Sequence, residues 1–232
     1  MNPLRSYFQD FIGLFFPELC AACGRNLFKN EEVVCTNCVY HLPVTNHHED
    51  PDNQVAQQLW GRFPFEQAGA FIYFRKGNNV QKLIYQLKYN NRPEVGIRMG
   101  RLYGAVLKRT GLWSLPDYIL PVPLHPSRKK RRGYNQSECI AKGLAEIMGI
   151  PVISDKLCRT ENTGTQTRKA RYDRYENLKE AFVVKDSASL ENKHLLLVDD
   201  VITTGSTIEA CSLELLKLKN VRVSIAALAF TG

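Results

Sequence analysis

The sequence lacks an apolar run long enough to span a bilayer, which takes about 18 residues or more. It lacks the G-x-x-x-x-G-K-[ST] loop and the G-x-G-x-x-G fingerprint, which removes the P-loop and the dinucleotide-binding motif. Internal repeats and low-complexity tracts are absent too. Its 15 Gly and 11 Pro in 232 residues, with 44% apolar and 23% charged residues, exclude collagen, coiled coil and wholesale disorder. Acidic residues are in deficit: 23 Asp and Glu face 31 Lys and Arg, a net charge of +8. Such a balance favours polyanions: phosphates, nucleic acid or an acidic membrane surface. The excess is local, because residues 125–180 hold thirteen Lys and Arg against seven Asp and Glu. At 26.4 kDa the chain has room for one to two domains.

No secretory leader is expected. Asp10 and Pro17 interrupt the apolar start, and no small-residue cleavage site follows. The segment reads instead as a short amphipathic helix with Phe8, Phe11, Ile12, Phe15 and Phe16 on one side. The expected location is the cytoplasm.

Four of the seven cysteines, Cys20, Cys23, Cys35 and Cys38, form C-x2-C-x11-C-x2-C. Cytosolic thiols stay reduced, so disulfides are the weaker reading. Redox-active pairs remain an alternative. The doubled spacing favours four thiolates on one tetrahedral Zn²⁺, and a site with four protein ligands is structural. Gly24 directly follows the first pair, where such a turn tolerates left-handed backbone. Cys139 and Cys211 fall in helical patterns and read as buried thiols. The polar stretch after Cys38 reads as a linker. There, His47 and His48 stand beside Glu49, Asp50 and Asp52 and read as part of a solvated turn rather than as metal ligands.

Beyond about residue 66, strand and helix patterns alternate. Strands are expected at 68–75, 117–122, 181–184, 195–198 and 221–230, and helices at 80–89, 94–109, 137–148 and 208–218. The alternation predicts an α/β fold with a parallel, right-handed sheet. The expected division is a metal module with its linker over residues 1–60 and an α/β domain over 61–232.

Residues 195–207 read LLLVDDVITTGST. A buried strand delivers Asp199 and Asp200 to its carboxyl end, where open α/β sheets bind ligands. Thr203, Thr204, Gly205, Ser206 and Thr207 then open a helix. The first N–H groups of a helix have no internal partners, and the helix dipole favours an anion there. One turn can therefore grip a phosphate, while the acid pair upstream suits sugar hydroxyls or Mg²⁺.

This stretch resembles the 13-residue phosphoribosyl-pyrophosphate (PRPP) motif of type I phosphoribosyltransferases. With the cysteine knuckles, VPLH at 122–125, RRGYNQ at 131–136, Gln166, Arg174, Asn177 and AF at 181–182, the chain resembles the ComF family. That family is named for competence proteins and includes GntX-like members. The likeness runs from about Cys20 to Phe230. It implies a type I phosphoribosyltransferase-like sheet flanked by helices, preceded by a zinc ribbon. It also implies that Asp199 and Asp200 contact the ribose, that Thr203 through Thr207 hold the 5′-phosphate, and that Mg²⁺ accompanies PRPP.

The loop after strand 117–122 holds five consecutive cations, Arg128 to Arg132. In type I enzymes this position binds pyrophosphate, and Arg132 is the preferred contact; a solvated basic loop is the equal alternative. The stretch 160–177, with Gln166, Arg168, Arg171 and Arg174, fits a loop covering PRPP or an ordinary surface excursion. The family's link to DNA uptake implies single-stranded DNA as partner, with Lys129, Lys130, Arg131 and Tyr134 as candidate contacts, and DNA-uptake machinery proteins as further partners. The alternative is an active transferase moving phosphoribose to a base or to ammonia. A glutamine-dependent amidotransferase is not expected, since Asn2 follows Met1 where that class needs a terminal Cys.

Overall fold

The computed structural model describes residues 17–111, 113–160 and 182–232. The expected N-terminal amphipathic helix lies outside them. In chain order the elements are α1 (Thr36–Tyr40), α2 (Gln54–Leu59), β1 (Ala68–Tyr73), α3 (Asn79–Tyr89), α4 (Pro93–Thr110) and β2 (Tyr118–Pro121). There follow α5 (Pro126–Arg132), α6 (Gln136–Met148), β3 (Leu157–Arg159), β4 (Phe182–Val184), β5 (His194–Ile202), α7 (Ser206–Leu215) and β6 (Arg222–Phe230). Four strands make one sheet in the order β1-β6-β5-β2, with every neighbouring pair parallel. The strand expected at 181–184 does not join it. Phe182–Val184 pairs antiparallel with Leu157–Arg159, burying Leu157 and Phe182 while Arg159 lies over the Phe182 ring at 5.4 Å.

Period-two alternation splits each central strand between two cores. From β5, Leu196 and Val198 enter the layer built by α3, α4 and α6. Leu195 and Leu197 enter the opposite layer, with Val55, Ala56 and Leu59 of α2 and Ile208, Cys211 and Leu215 of α7. A strand buried on both faces must be apolar without interruption, as residues 195–198 are. The cysteine knuckles share the first core: Cys20, Ala21, Ala22, Val34, Cys35 and Cys38 are buried with Val80, Leu83 and Leu87 of α3.

α4 and α6 meet backbone to backbone. A Cβ at Gly100 would lie 2.2 Å from the Ile140 carbonyl oxygen, and one at Gly143 would lie 2.1 Å from that of Ile97. Overpacking of this kind costs about 1–3 kcal/mol even where the surroundings can shift.

His47 and His48 are not in a solvated turn; both are buried. The chain before them pairs with β1 through a Val44–Ile72 bridge, and Thr45 N–H donates to the Phe71 carbonyl. This pairing tucks the rings inward while Glu49, Asp50 and Asp52 stay exposed. His47 Nδ1 accepts from Ala70 N–H at 3.3 Å, and its ring packs edge-on to Tyr73 and Phe230. Burial holds His47 down to about 4, so it stays neutral at physiological pH. No helix among the described residues is long and apolar enough to cross a membrane.

Candidate functional site

β2 and β5 are parallel neighbours with Pro121 in register with Val198, so the segments that follow both strands leave from one edge of the sheet. β5 runs longer than its apolar pattern, to Ile202, and carries both acids while still paired with β6. Asp199 is half-buried, and its carboxylate accepts from the Ser137 hydroxyl at 3.1 Å and the Asp200 N–H at 2.8 Å. Burial and the neighbouring Asp200 charge push Asp199 up to about 7, against the pull of those hydrogen bonds and of Lys88. Asp200 forms a 2.9 Å ion pair with Lys88 Nζ on α3. The two acids thus sit in different electrostatic settings: Asp200 has a cation and Asp199 holds a proton near neutrality.

The turn beyond them is built as the sequence pattern required. Gly205 caps α7 with φ 76°, and no side chain caps that helix. The left-handed backbone at Gly205 demands glycine, and a Cβ there would also lie 2.8 Å from a Leu59 methyl of α2, which would have to shift. The turn's carbonyls are engaged from behind. Gln58 Nε2 donates to Thr203 O at 2.6 Å, and Arg62 donates to Thr204 O at 2.8 Å. The hydroxyls of Thr204 and Ser206 lie 3.1 Å apart, with Thr203 and Thr204 exposed and Ser206 and Thr207 half-exposed. An uncapped helix start with fixed carbonyls and clustered hydroxyls is suited to an anion.

The five cations Arg128 to Arg132 do not form a loop. They lie in α5, whose start is capped by the His125 ring accepting from Ser127 N–H. A Pro at the first helical position and a glycine at the end suit a short helix, and Gly133 closes it with φ 81°. Asn135 then caps α6 by accepting from Ser137 N–H, and its amide donates to the Val122 carbonyl. That cap sets Ser137 against Asp199. It also sets Gln136 Oε1 at 2.7 Å from an Arg132 guanidinium N–H. Arg132 Nε and Gln136 Nε2 are buried, and neither has a partner among the described residues. Lys130, Arg131, Arg132 and Tyr134 line one cleft of about 470 Å³ with Lys88 and Tyr89; exposed Lys129 is not part of that lining. Gln166, Arg168, Arg171 and Arg174 lie outside the described residues.

Sequence reasoning missed four members of this constellation. Lys88 was legible only as a cation beside a tyrosine, and Ser137 only as the start of a helix. Gln58 and Arg62 gave no signal, because their partners are backbone carbonyls about 140 residues away.

The four knuckle thiols lie within 4.8 Å of one another and can hold a metal ion. Gly24 takes φ 77° and donates its N–H to the Cys20 carbonyl at 2.9 Å, closing the first turn. Burial disfavours the Cys20 thiolate, but N–H groups of Cys35, Cys23 and Ala22 outweigh it and lower the thiol to about 6. Burial and the neighbouring thiols push Cys38 up, a crowding that a shared cation relieves.

Residues 120–232 match the phosphoribosyl transferase domain family. Over 225 residues the chain is 32% identical to competence protein F of Haemophilus influenzae, covering 93% of this chain and 98% of that protein. The chain belongs to the competence protein F (ComF) family. It is 31% identical over 193 residues to DNA utilization protein YhgH of Escherichia coli K12, covering 82% of this chain and 80% of that one. It is 39% identical over 130 residues to YhgH of Salmonella typhimurium, at 54% and 56% coverage. In this ComF chain the expected type I phosphoribosyltransferase fold is present, a parallel sheet flanked by helices, and the cysteine cluster is compatible with a zinc ribbon.

The raised Asp199 makes a signed prediction. An unfolded aspartate titrates near about 3.9, so the folded ComF chain binds this proton more tightly. The stability it lends is full below about pH 4 and is lost as pH rises to about 7. Asp199→Asn removes that loss. Thermal denaturation at about pH 5 and about pH 8 should show the variant gaining on wild type at the higher pH. A gap between the two proteins that does not move with pH would count against a raised Asp199.

Proposed function

We propose that this protein binds PRPP at the carboxyl edge of β5 and handles single-stranded DNA during DNA uptake in natural transformation. The observation that carries the reading is the anion-ready turn at 203–207 standing beside the Asp199–Asp200 pair on one sheet edge. The 5′-phosphate sits on Thr203, Thr204, Gly205, Ser206 and Thr207. Asp199 and Asp200 take the ribose hydroxyls, and binding exchanges Lys88 for sugar on Asp200. Arg132 takes the pyrophosphate, a role supported by the unpartnered Arg132 Nε and Gln136 Nε2 donors. Mg²⁺ arrives with PRPP and neutralises the pyrophosphate. Gln166, Arg168, Arg171 and Arg174 fit a cover over the ligand.

The names of the relatives, competence and DNA utilization, favour DNA handling over nucleotide salvage. The +8 charge and the exposed Lys129, Lys130 and Arg131 support a polyanion partner, and DNA-uptake machinery proteins are further partners. The protein works in the cytoplasm. Residues 1–60 are its metal-bearing part and residues 61–232 its phosphoribosyltransferase-like domain. The metal is structural Zn²⁺. A tetrahedron with Zn–S of about 2.3 Å spaces its sulfurs about 3.8 Å apart, and Cys23 and Cys35 stand 3.8 Å apart.

Three measurements test these assignments. Calorimetry with PRPP and Mg²⁺ should show Asp200→Asn and Thr204→Ala weakening binding about tenfold or more, with folding intact; unaltered affinity in both would refute the site. Binding of labelled single-stranded DNA should weaken steeply as salt rises, and charge reversal at Lys130, Arg131 and Arg132 should flatten that slope. DNA affinity equal to that of a neutral control protein would discard the DNA partner. Metal analysis should find zinc at one ion per chain, and chelation should lower the thermal midpoint, since the knuckles share a core with the sheet. A chain that purifies metal-free with an unchanged midpoint would remove the zinc assignment.

A further inference from the structure

Two clefts flank the outer face of α3, and the function above uses only part of one. The first, beside α5, holds Lys88, Tyr89 and the cations Lys130 to Arg132. The second, of about 390 Å³, lies between α3 and the first cysteine knuckle and holds Lys82, Tyr85, Gln86, Cys23 and Gly24. Among the described residues no carboxylate lines either cleft. Between them stand Tyr85 and Tyr89, one helical turn apart on α3 and exposed at 54% and 61%.

Their ring centroids are 5.1 Å apart, and the Arg132 guanidinium lies over Tyr89 at 5.4 Å from its centroid. Arg132, Tyr89 and Tyr85 thus make a contiguous row, with the two rings tilted 42° to each other, that runs from the first cleft to Tyr85 at the second. Two adjacent exposed rings beside Lys82, Lys88, Lys130, Arg131 and Arg132 offer flat apolar faces next to positive charge. α3 is firmly held from below: Leu83, Ile84 and Leu87 are buried, and the Tyr134 hydroxyl donates to the Leu87 carbonyl. A rigid platform loses little freedom when a flexible ligand settles on it.

We propose that single-stranded DNA crosses this face, from the basic cleft at Arg132, over Tyr89 and Tyr85, to the cleft at the first knuckle. This rests on the DNA-handling reading above and adds a path and its contact residues. Aromatic faces take any base, whereas cations follow the backbone, which is the pattern of sequence-tolerant single-strand binding. A duplex hides its base faces, so the rings have nothing to stack on. An acidic peptide would feel the cations and be indifferent to the rings.

The test uses the full chain and a fluorescent oligo-dT in anisotropy titrations. Tyr85→Ala should weaken binding by about fivefold to a hundredfold, the range of one lost base stack. Tyr85→Phe, which keeps the ring, should stay within about twofold of wild type. Lys82→Gln should lower the salt slope by about one. A duplex of the same sequence should compete poorly. PRPP affinity should be unchanged in all three variants, which also confirms folding. Wild type that binds oligo-dT while Tyr85→Ala binds equally well overturns the path and leaves the DNA-handling function standing. Loss in Tyr85→Phe as large as in Tyr85→Ala also overturns it, because the hydroxyl and not the ring would then matter. Wild type without affinity for oligo-dT removes the function beneath it.

Discussion

Burial of β5 on both faces is the constraint from which the site follows. A strand walled in by α3, α4 and α6 on one side and by α2 and α7 on the other carries only apolar side chains over residues 195–198; the buried polar residue at its start, His194, is matched by Ser224 of β6 at 2.8 Å. The polar residues of residues 195–207 are therefore displaced to one edge, where each needs a local partner. Ser137 and the Asp200 amide meet Asp199, Lys88 meets Asp200, and Gln58 and Arg62 meet the carbonyls of Thr203 and Thr204. Among the described residues, Ser206 N–H at the start of α7 reaches only the Thr204 hydroxyl, at 3.5 Å. A parallel strand neighbour adds the second arm, since the exit of β2 brings α5 and Arg132 to the same edge.

The electrostatics of that edge divide labour between two adjacent carboxylates. Two like charges so close raise each other's cost of ionisation, and the structure resolves the conflict by burying one and pairing the other. Lys88 has a double position, because it also lines the basic cleft beside Arg132. The acid pair and the basic cleft are therefore joined through one cation on one helix.

Periodicity and motif made most of this readable beforehand. Residues 195–207, the helical stripe of 80–89 and the doubled C-x-x-C each encode local geometry in local sequence, and the strand, the helix and the thiol cluster all formed. What was not readable depended on distant partners. Five consecutive cations look like a solvated loop until Pro126 and Gly133 are seen to bracket a helical turn or two. His47 and His48 look exposed among acids until Val44 and Thr45 pair with β1. The strand at 182–184 has the right residues for the sheet, yet its pairing was settled by Leu157–Arg159, which carries no comparable signal.

The contact between α4 and α6 has a mechanical consequence. With Gly100 against the Ile140 carbonyl and Gly143 against that of Ile97, the two helices touch through backbone at this crossing. Neither helix can slide or roll against the other without collision, so α6 is an anchored beam. Its first turn holds Ser137 to Asp199 and Gln136 to Arg132. Adjustment at this edge then falls to side-chain rotation, while the spacing between the acid pair and the arginine behaves as a fixed ruler.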